Sequence, residues 1–259
     1  MENQKNVWGH IDMKIALLMI TIDRHQLTLD VLRHNLAGAG CPVSLFVSDN
    51  GSTEPVLDDI EREFADVLEY SHRYGTNTGV AGAFNDMIHE AMELGFDFII
   101  LMGNDIYNDP GWAKAMADAW FGIVNSGLVA LDWGCGANPK TPQKLGGIDV
   151  LVSPGVFGVM GFGSFIVKKI GYLCTDYWPY GLEDGDFNHR VTGAGFVSYY
   201  LTSHRSKHAG ADVGKRTPYR QMKDDALARN GAKYQENQQR YLSTKNFYVP
   251  YSENPYYHG

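Results

Sequence analysis

The sequence predicts an α/β fold in which a mostly parallel central sheet is flanked by helices, with a smaller subregion appended. Three observations carry this. Short apolar runs alternate with segments of helical periodicity over roughly the first 130 residues. The runs are nearly continuous in apolar side chains, as strands covered on both faces must be. The alternation then stops near Leu131 and gives way to a stretch rich in Gly and Pro, residues 132–160.

Lys14 to Ile22 is the first predicted strand. Leu27, Val31, Leu32 and Leu36 fall on one face of the helix that follows. Pro42 to Ser48 is the next strand. Val56 to Phe64 is a helix opened at the Thr53-Glu54-Pro55 boundary. Val67 to Ser71 is a short strand. Phe84, Met87, Ile88, Ala91 and Met92 form the apolar face of a helix ending near Gly95. Phe96 to Met102 is a buried strand, and Trp112 to Val124 a helix. Further on, Phe162 to Val167 and Phe196 to Leu201 read as strands, and Glu183 to Thr192 as a helix. The polar, tyrosine-rich tail holds two expected helices, Gln221 to Arg229 and Lys233 to Leu242. Strand–helix alternation of this kind implies parallel strands joined by right-handed crossovers. No repeat or linker divides the 259 residues, so a single domain is expected. Its halves are about 14–130 and 131–211, with 212–259 as an extension.

A hydrophobic content of 44% suits a sizeable core. The net charge of −8 excludes a broad basic footprint for nucleic acid or acidic lipid. Cys41, Cys135 and Cys174 are scattered and form no CxxC pair, as expected of reduced thiols in a cytoplasmic protein. Met1 to His10 is polar and lacks the apolar region of a signal peptide. No apolar run reaches the length of a membrane span, so no integral membrane segment is expected. The oligomeric state is not legible.

Chemistry-bearing residues cluster at the predicted strand ends. Val47-Ser48-Asp49-Asn50-Gly51-Ser52-Thr53 places Asp49 at the carboxyl end of a buried strand, where open α/β sheets bind ligands. The same run also reads as an ordinary turn. Asp105, in Asn104-Asp105 just past another buried strand, suits a hard divalent cation or a plain turn. Gly75 to Asn85 puts small residues at a helix start, where they admit either an anion or close helix–sheet packing. Gly181-Leu182-Glu183-Asp184-Gly185-Asp186 gathers carboxylates at another helix start. They serve the helix dipole, or one of them is a general base for a hydroxyl. Trp178 and Tyr180 just upstream form a platform for an acceptor or pack in the core.

His204 and His208 lack a third nearby nitrogen or sulfur ligand, which argues against structural zinc. One of these imidazoles at a metal–diphosphate complex, with Lys207, Lys215 and Arg216 adding positive charge, is the functional alternative to a solvated basic loop. Gly155 to Gly163 tempts a dinucleotide reading. It lacks the third glycine and is expected to lead into a strand rather than a helix.

Taken in order, these pieces resemble the inverting family-2 glycosyltransferases of the GT-A fold, whose Rossmann-like sheet carries a small acceptor-side subregion. The matching segments are Ile20-Thr21-Ile22-Asp23-Arg24, the run Val47 to Thr53, Asn77 to Asn85, Asn104-Asp105, Glu183 to Asp186 with Arg190, and His208-Ala209-Gly210. Together they span about residues 14–211. The resemblance implies transfer of a sugar from a nucleoside-diphosphate donor with inversion. Thr21, Asp23, Asp49, Asn77, Gly79, Asn85 and Asn104 would meet the donor, Asp49 at its base or ribose. Asp105 and His208 would hold a divalent metal, Mn or Mg. Asp184, with Glu183 as competitor, would be the base, and Trp178 and Tyr180 would meet the acceptor. That acceptor is a glycan, a lipid-linked saccharide, a small molecule, a protein or a modified nucleobase. The chain departs from the family pattern at Gly103, where an acid usually stands, and at Asp23-Arg24. A non-catalytic nucleotide-sugar or glycan-binding module and a metal-dependent nucleotidyltransferase are the competing readings.

Overall fold

The computed structural model describes residues 13–132, 141–209 and 218–252. The N-terminal segment Met1 to His10, Cys135, Lys215 and Arg216, named above, lie outside the described residues. The apolar runs form the expected strands: β1 (Ile15–Thr21), β2 (Ser44–Asp49), β3 (Leu68–Arg73) and β4 (Phe98–Gly103). They pair in parallel in the order β3-β2-β1-β4. Helices α1 (His25–Ala37), α2 (Val56–Glu63) and α3 (Val80–Glu93) connect them. Leu17, Leu18, Met19, Phe46, Ile99 and Ile100 are wholly buried. One core cluster packs α1, α2 and α4 (Trp112–Gly122) on one face of the sheet. A second packs α3 and α6 (Glu183–Gly193) on the other. That two-sided cover is why these strands read as continuous apolar runs.

Beyond β4 the sheet becomes mixed. A short β5 (Ile106–Asn108) precedes α4, and β6 (Ser126–Asp132) follows it. The Gly- and Pro-rich stretch contains a hairpin, β7 (Gln143–Leu145) and β8 (Ile148–Val152). Its turn is Gly146-Gly147, with φ of 55° and 86°, the left-handed pair that a two-residue hairpin requires. Then β9 (Met160–Gly163) runs antiparallel between β4 and β6. With β10 (Val197–His208), the sheet order is β3-β2-β1-β4-β9-β6-β10-β8-β7.

Four expectations need correction. Phe162 to Val167 is not one strand: β9 ends at Gly163 and α5 (Ser164–Ile170) begins at once. The glycine run therefore does lead into a helix. Its glycines, however, serve packing: Gly161 lies against Phe98, and a Cβ on Gly163 would overlap the indole of Trp120. That indole is pinned by its N–H to Gly127 O at 2.7 Å. Gly163→Ala should therefore destabilise the protein by about 1–3 kcal/mol, read as a lower urea midpoint at unchanged slope.

The predicted strand Phe196 to Leu201 continues, as β10 (Val197–His208), for seven residues beyond Leu201. It leaves β6 through a register shift between Leu201 and Arg205, then pairs antiparallel with β5. The two predicted terminal helices are one, α7 (Pro218–Thr244). Gly231 does not break it, because the neighbouring Asn230 is buried and anchored to Tyr177 O at 2.9 Å and Tyr180 O at 3.1 Å. No helix among the described residues is long and apolar enough to cross a membrane.

Candidate active-site cleft

The ends of β1 and β4 open into a cleft of about 540 Å³. Its walls are the corner after β1, the β4–β5 turn, the start of α3, Phe157-Gly158, the approach to α6, and Met222 and Lys223 of α7.

The corner after β1 is conformationally strained and externally held. Asp23 and Arg24 both have positive φ, 50° and 57°. Such geometry costs roughly 1–2 kcal/mol per non-glycine residue and persists only where neighbours over-determine it. The run after β2 supplies those neighbours. Asp23 N–H donates to Ser52 Oγ at 2.8 Å. Thr53 donates its N–H and its hydroxyl to Asp23 Oδ1 at 2.7 and 2.9 Å. His25 N–H donates to Glu54 Oε2 at 2.7 Å. The Thr53 backbone bond, above all, holds the Asp23 carboxyl below its ordinary value.

The corner aims Arg24 at Asp105, with Nη1 2.8 Å from Oδ2. The other carboxylate oxygen lies 3.4 Å from His208 Nδ1. The β5–β10 pairing places His208 there, opposite Ile106, and Ala209 N–H donates to Asp105 O at 2.8 Å. Burial raises the Asp105 carboxyl, but the bonds and charges of His208 and Arg24 outweigh it and leave it lowered.

At the second loop, Asn50 Oδ1 accepts from Thr78 N–H and hydroxyl at 2.8 and 2.9 Å. Its amide donates to Asn77 Oδ1 at 3.1 Å, and Asn77 Oδ1 also accepts Gly79 N–H at 2.8 Å. Asn50 and Asn77 thus line the cleft while fastening two loops together. On the opposing wall Glu183 and Asp184 open α6. Glu183 is 6% exposed, and its Oε2 has no hydrogen-bond partner among the described residues. Burial, then the charge of Asp184, pushes the Glu183 carboxyl up to about 8. Burial also raises Asp184, whose Oδ1 accepts Gly185 N–H at 2.6 Å. The preceding Leu182 has a φ of 76°, a further strained residue at the cleft.

This burial has a sign in stability. Between 4.5, the ordinary value, and about 8, the unfolded chain releases the Glu183 proton while the folded chain keeps it. The native state then binds more protons, so its contribution to stability falls as pH rises through that window and is flat above it. Glu183→Gln should remove a fall on the order of a few kcal/mol. Urea unfolding of both proteins at pH 5 and pH 8 checks it.

Of the residues the sequence singled out, Asp23, Asn77, Asn104, Asp105, Tyr180, Glu183, Asp184 and His208 share this cleft. Five others given a site role by the resemblance do not line it, nor do His204 and Lys207. Asp49 is wholly buried, caps Ser52 N–H at 2.8 Å and faces Arg73 Nε at 3.4 Å, so it shapes the turn. Thr21 is equally buried, its hydroxyl 3.3 Å from that of Thr28. The N–H of Gly79 is already used by Asn77. Asn85 exchanges bonds of 2.9 Å with Leu173 O and N–H, bracing α3. Trp178, 53% exposed, packs over Gly79, where a Cβ would come within 2.8 Å of the indole.

Cleft residues the site assignment missed include Arg24, Asn50, Phe157, Met222 and Lys223. Arg24 had a signal, a cation directly after the first strand. Lys223, 4.3 Å from the centre of the Tyr180 ring, had none, since only the fold brings α7 here.

No family model matches the sequence, and no curated protein matches it. Solved structures do resemble it. TarS 1-349 from S. aureus superposes with a TM-score of 0.56 at 17% identity, covering 76% of this chain and 61% of that one. The mannosyltransferase PcManGT from Pyrobaculum calidifontis, in complex with GDP-Man and Mn2+, gives 0.61 at 16% identity over 78% of this chain and 58% of its own. GalNAc-T7 with UDP, GalNAc and Mn2+ gives 0.60 at 9% identity over 76% and 44%. The match thus spans less than two thirds of each of those chains. At these identities the likeness establishes the fold, which is GT-A.

Proposed function

We propose that this protein is an inverting glycosyltransferase of the family-2 type, moving a hexosyl or pentosyl group from a nucleoside-diphosphate donor to an acceptor hydroxyl. The observation that carries the reading is one cleft with two chemically different walls. On one, Arg24, His208 and Asp105 form a cluster able to manage a diphosphate. On the other, the buried Glu183 and the partly buried Asp184 face the same space.

Asp184 is the general base in this reading. Glu183, pushed up to about 8, holds its proton at neutral pH, which leaves Asp184 as the ionised partner. Asp184 takes the acceptor proton as that oxygen attacks the anomeric carbon from the face opposite the leaving diphosphate. The anomeric configuration therefore inverts, and a tuned base makes a covalent intermediate unnecessary. Arg24 and His208 stabilise the charge that develops on the leaving group. Tyr180, and Trp178 at the rim, would receive the acceptor.

A divalent cation, Mn or Mg, fits the chemistry of this donor set in one way. Asp105 Oδ1 and His208 Nδ1, 3.4 Å apart, suit two ligands of one ion. Gly103 offers none, and among the described residues no group of three His, Cys, Asp or Glu side chains could hold a metal. Diphosphate oxygens would complete the shell, as is usual for Mg-type ions. When bound, the ion would neutralise charge on the diphosphate. The described thiols, Cys41 and Cys174, are free, which supports a cytoplasmic setting.

The test is a panel of nucleotide sugars scored for thermal stabilisation and released product. The reading expects a rise in melting temperature with one donor class and formation of free nucleoside diphosphate. Stabilisation without product would favour the binding module. Release of inorganic diphosphate would favour the nucleotidyltransferase.

A further inference from the structure

Asp105 already meets two side chains of its own chain, a guanidinium and an imidazole. Arg24 Nη1 is 2.8 Å from one oxygen and His208 Nδ1 is 3.4 Å from the other. Both Arg24 and Asp105 line the cleft, with side chains 27% exposed, so a small ion or a diphosphate can reach them. The Arg24 backbone is fixed by the clamps on Asp23 and His25, which leaves the side chain as the movable part. We propose that Arg24 is the resident counter-ion of Asp105: it withholds the carboxylate from a lone divalent cation and transfers to the diphosphate when the donor enters. The inference rests on the nucleotide-sugar reading of the cleft.

A cation arriving alone at Oδ1 meets a carboxylate whose charge is already offset by the guanidinium on Oδ2, which weakens its hold. A diphosphate reverses the balance. Its oxygens match the planar fork of arginine, and the same oxygens supply the metal ligands that the protein lacks. Once Arg24 turns to the diphosphate, the full carboxylate charge of Asp105 faces the ion. Donor and metal then bind as a coupled pair, and Arg24 is a positioning residue for Asp105 and a ligand of the diphosphate.

The test compares wild type with Arg24→Gln. Mn2+ binding to the nucleotide-free protein is read from the electron paramagnetic resonance of free Mn2+. Binding of UDP, GDP and inorganic diphosphate in chelator is read by calorimetry. In the variant, Mn2+ alone should bind roughly tenfold or more tightly, and the diphosphate probe roughly tenfold or more weakly, the loss of one charged hydrogen bond. Both changes are required, and either one without the other overturns the proposal. Should none of the probes bind wild type even with Mn2+, the nucleotide-sugar reading itself falls. A probe that binds wild type and variant alike removes only the role of Arg24. If Arg24→Gln does not fold, Arg24→Asn, which tolerates the left-handed backbone, is measured in its place with the same expected changes.

Discussion

Asp184→Asn should lower the transfer rate about 10²–10⁴-fold, the usual cost of losing a general base, while donor affinity stays near wild type. The variant keeps the shape of the side chain and its acceptor for Gly185 N–H, which lies at 2.6 Å. What it loses is the ability to take a proton. Donor affinity is spared because Asp184 lies on the α6 wall, across from the Asp105 cluster. Burial raises the Asp184 carboxyl, so wild-type turnover should climb with pH above the ordinary carboxylate value of 3.8 and then level. Glu183→Gln replaces a carboxyl that burial pushes up to about 8 and should cost far less. Single-turnover rates and calorimetric donor affinities for the two variants side by side decide between them. Collapse in Glu183→Gln with near-normal Asp184→Asn would transfer the role. Normal turnover in both would return the pair to the helix dipole.

Arg190→Met should destabilise the protein by about 3–5 kcal/mol, the cost of stripping the partner from a buried charge. Arg190 and Asp186 are both wholly buried, one turn apart on α6, with Nε 2.7 Å from Oδ2. The guanidinium also donates to Ile170 O at 2.8 Å, Tyr172 O at 2.7 Å and Phe247 O at 3.5 Å. One side chain thus joins α6 to the end of α5 and to the segment after α7. Methionine fills the volume but takes a donor from three carbonyls and a carboxylate, of which Ile170 O keeps Val249 N–H at 2.9 Å. The hydroxyls of Tyr177 and Tyr241, 2.8 and 3.5 Å from Asp186, soften the loss without supplying charge. Arg190→Lys should recover only part, since an ammonium cannot reproduce the planar fork. Urea unfolding measures both, and a loss under about 1 kcal/mol for Arg190→Met would be below even an ordinary hydrogen bond's worth.

The half of the fold from β1 to α4 was legible because strands buried on both faces announce themselves as apolar runs. The strands that escaped are short or edge-like, except β6, seven mostly buried residues between β9 and β10. Gln143–Leu145 and Ile106–Asn108 are three residues each, too short for any periodicity to register. Ser164–Ile170 misled because Phe165, Ile166 and Val167 favour strands by propensity, while burial of Ile166, Val167 and Ile170 at helical spacing decided otherwise. The polar end of β10, Thr202 to His208, looked like a loop, yet its pairing with β5 is what carries His208 to Asp105. For the cleft, the motifs named Asp105 and Asp23 at strand ends and the carboxylate pair at a helix start, each local in sequence, and the fold brings them to one cleft. They did not distinguish residues that face the cleft from those that hold its loops. Ser52 and Thr53 shape the Asp23–Arg24 corner from within the same run as Asp49, and no spacing rule separates the two roles.

The most direct test is proton NMR of a donor that the thermal screen identifies, followed with the wild-type protein and water or a hydroxyl acceptor. The coupling constant of the anomeric proton in the first-formed product reports the configuration before it equilibrates. The account predicts that the sugar appears with the configuration opposite to that in the donor, alongside free nucleoside diphosphate, and that Asp184→Asn suppresses both signals together. Product of retained configuration, or unchanged signals from Asp184→Asn, would contradict it.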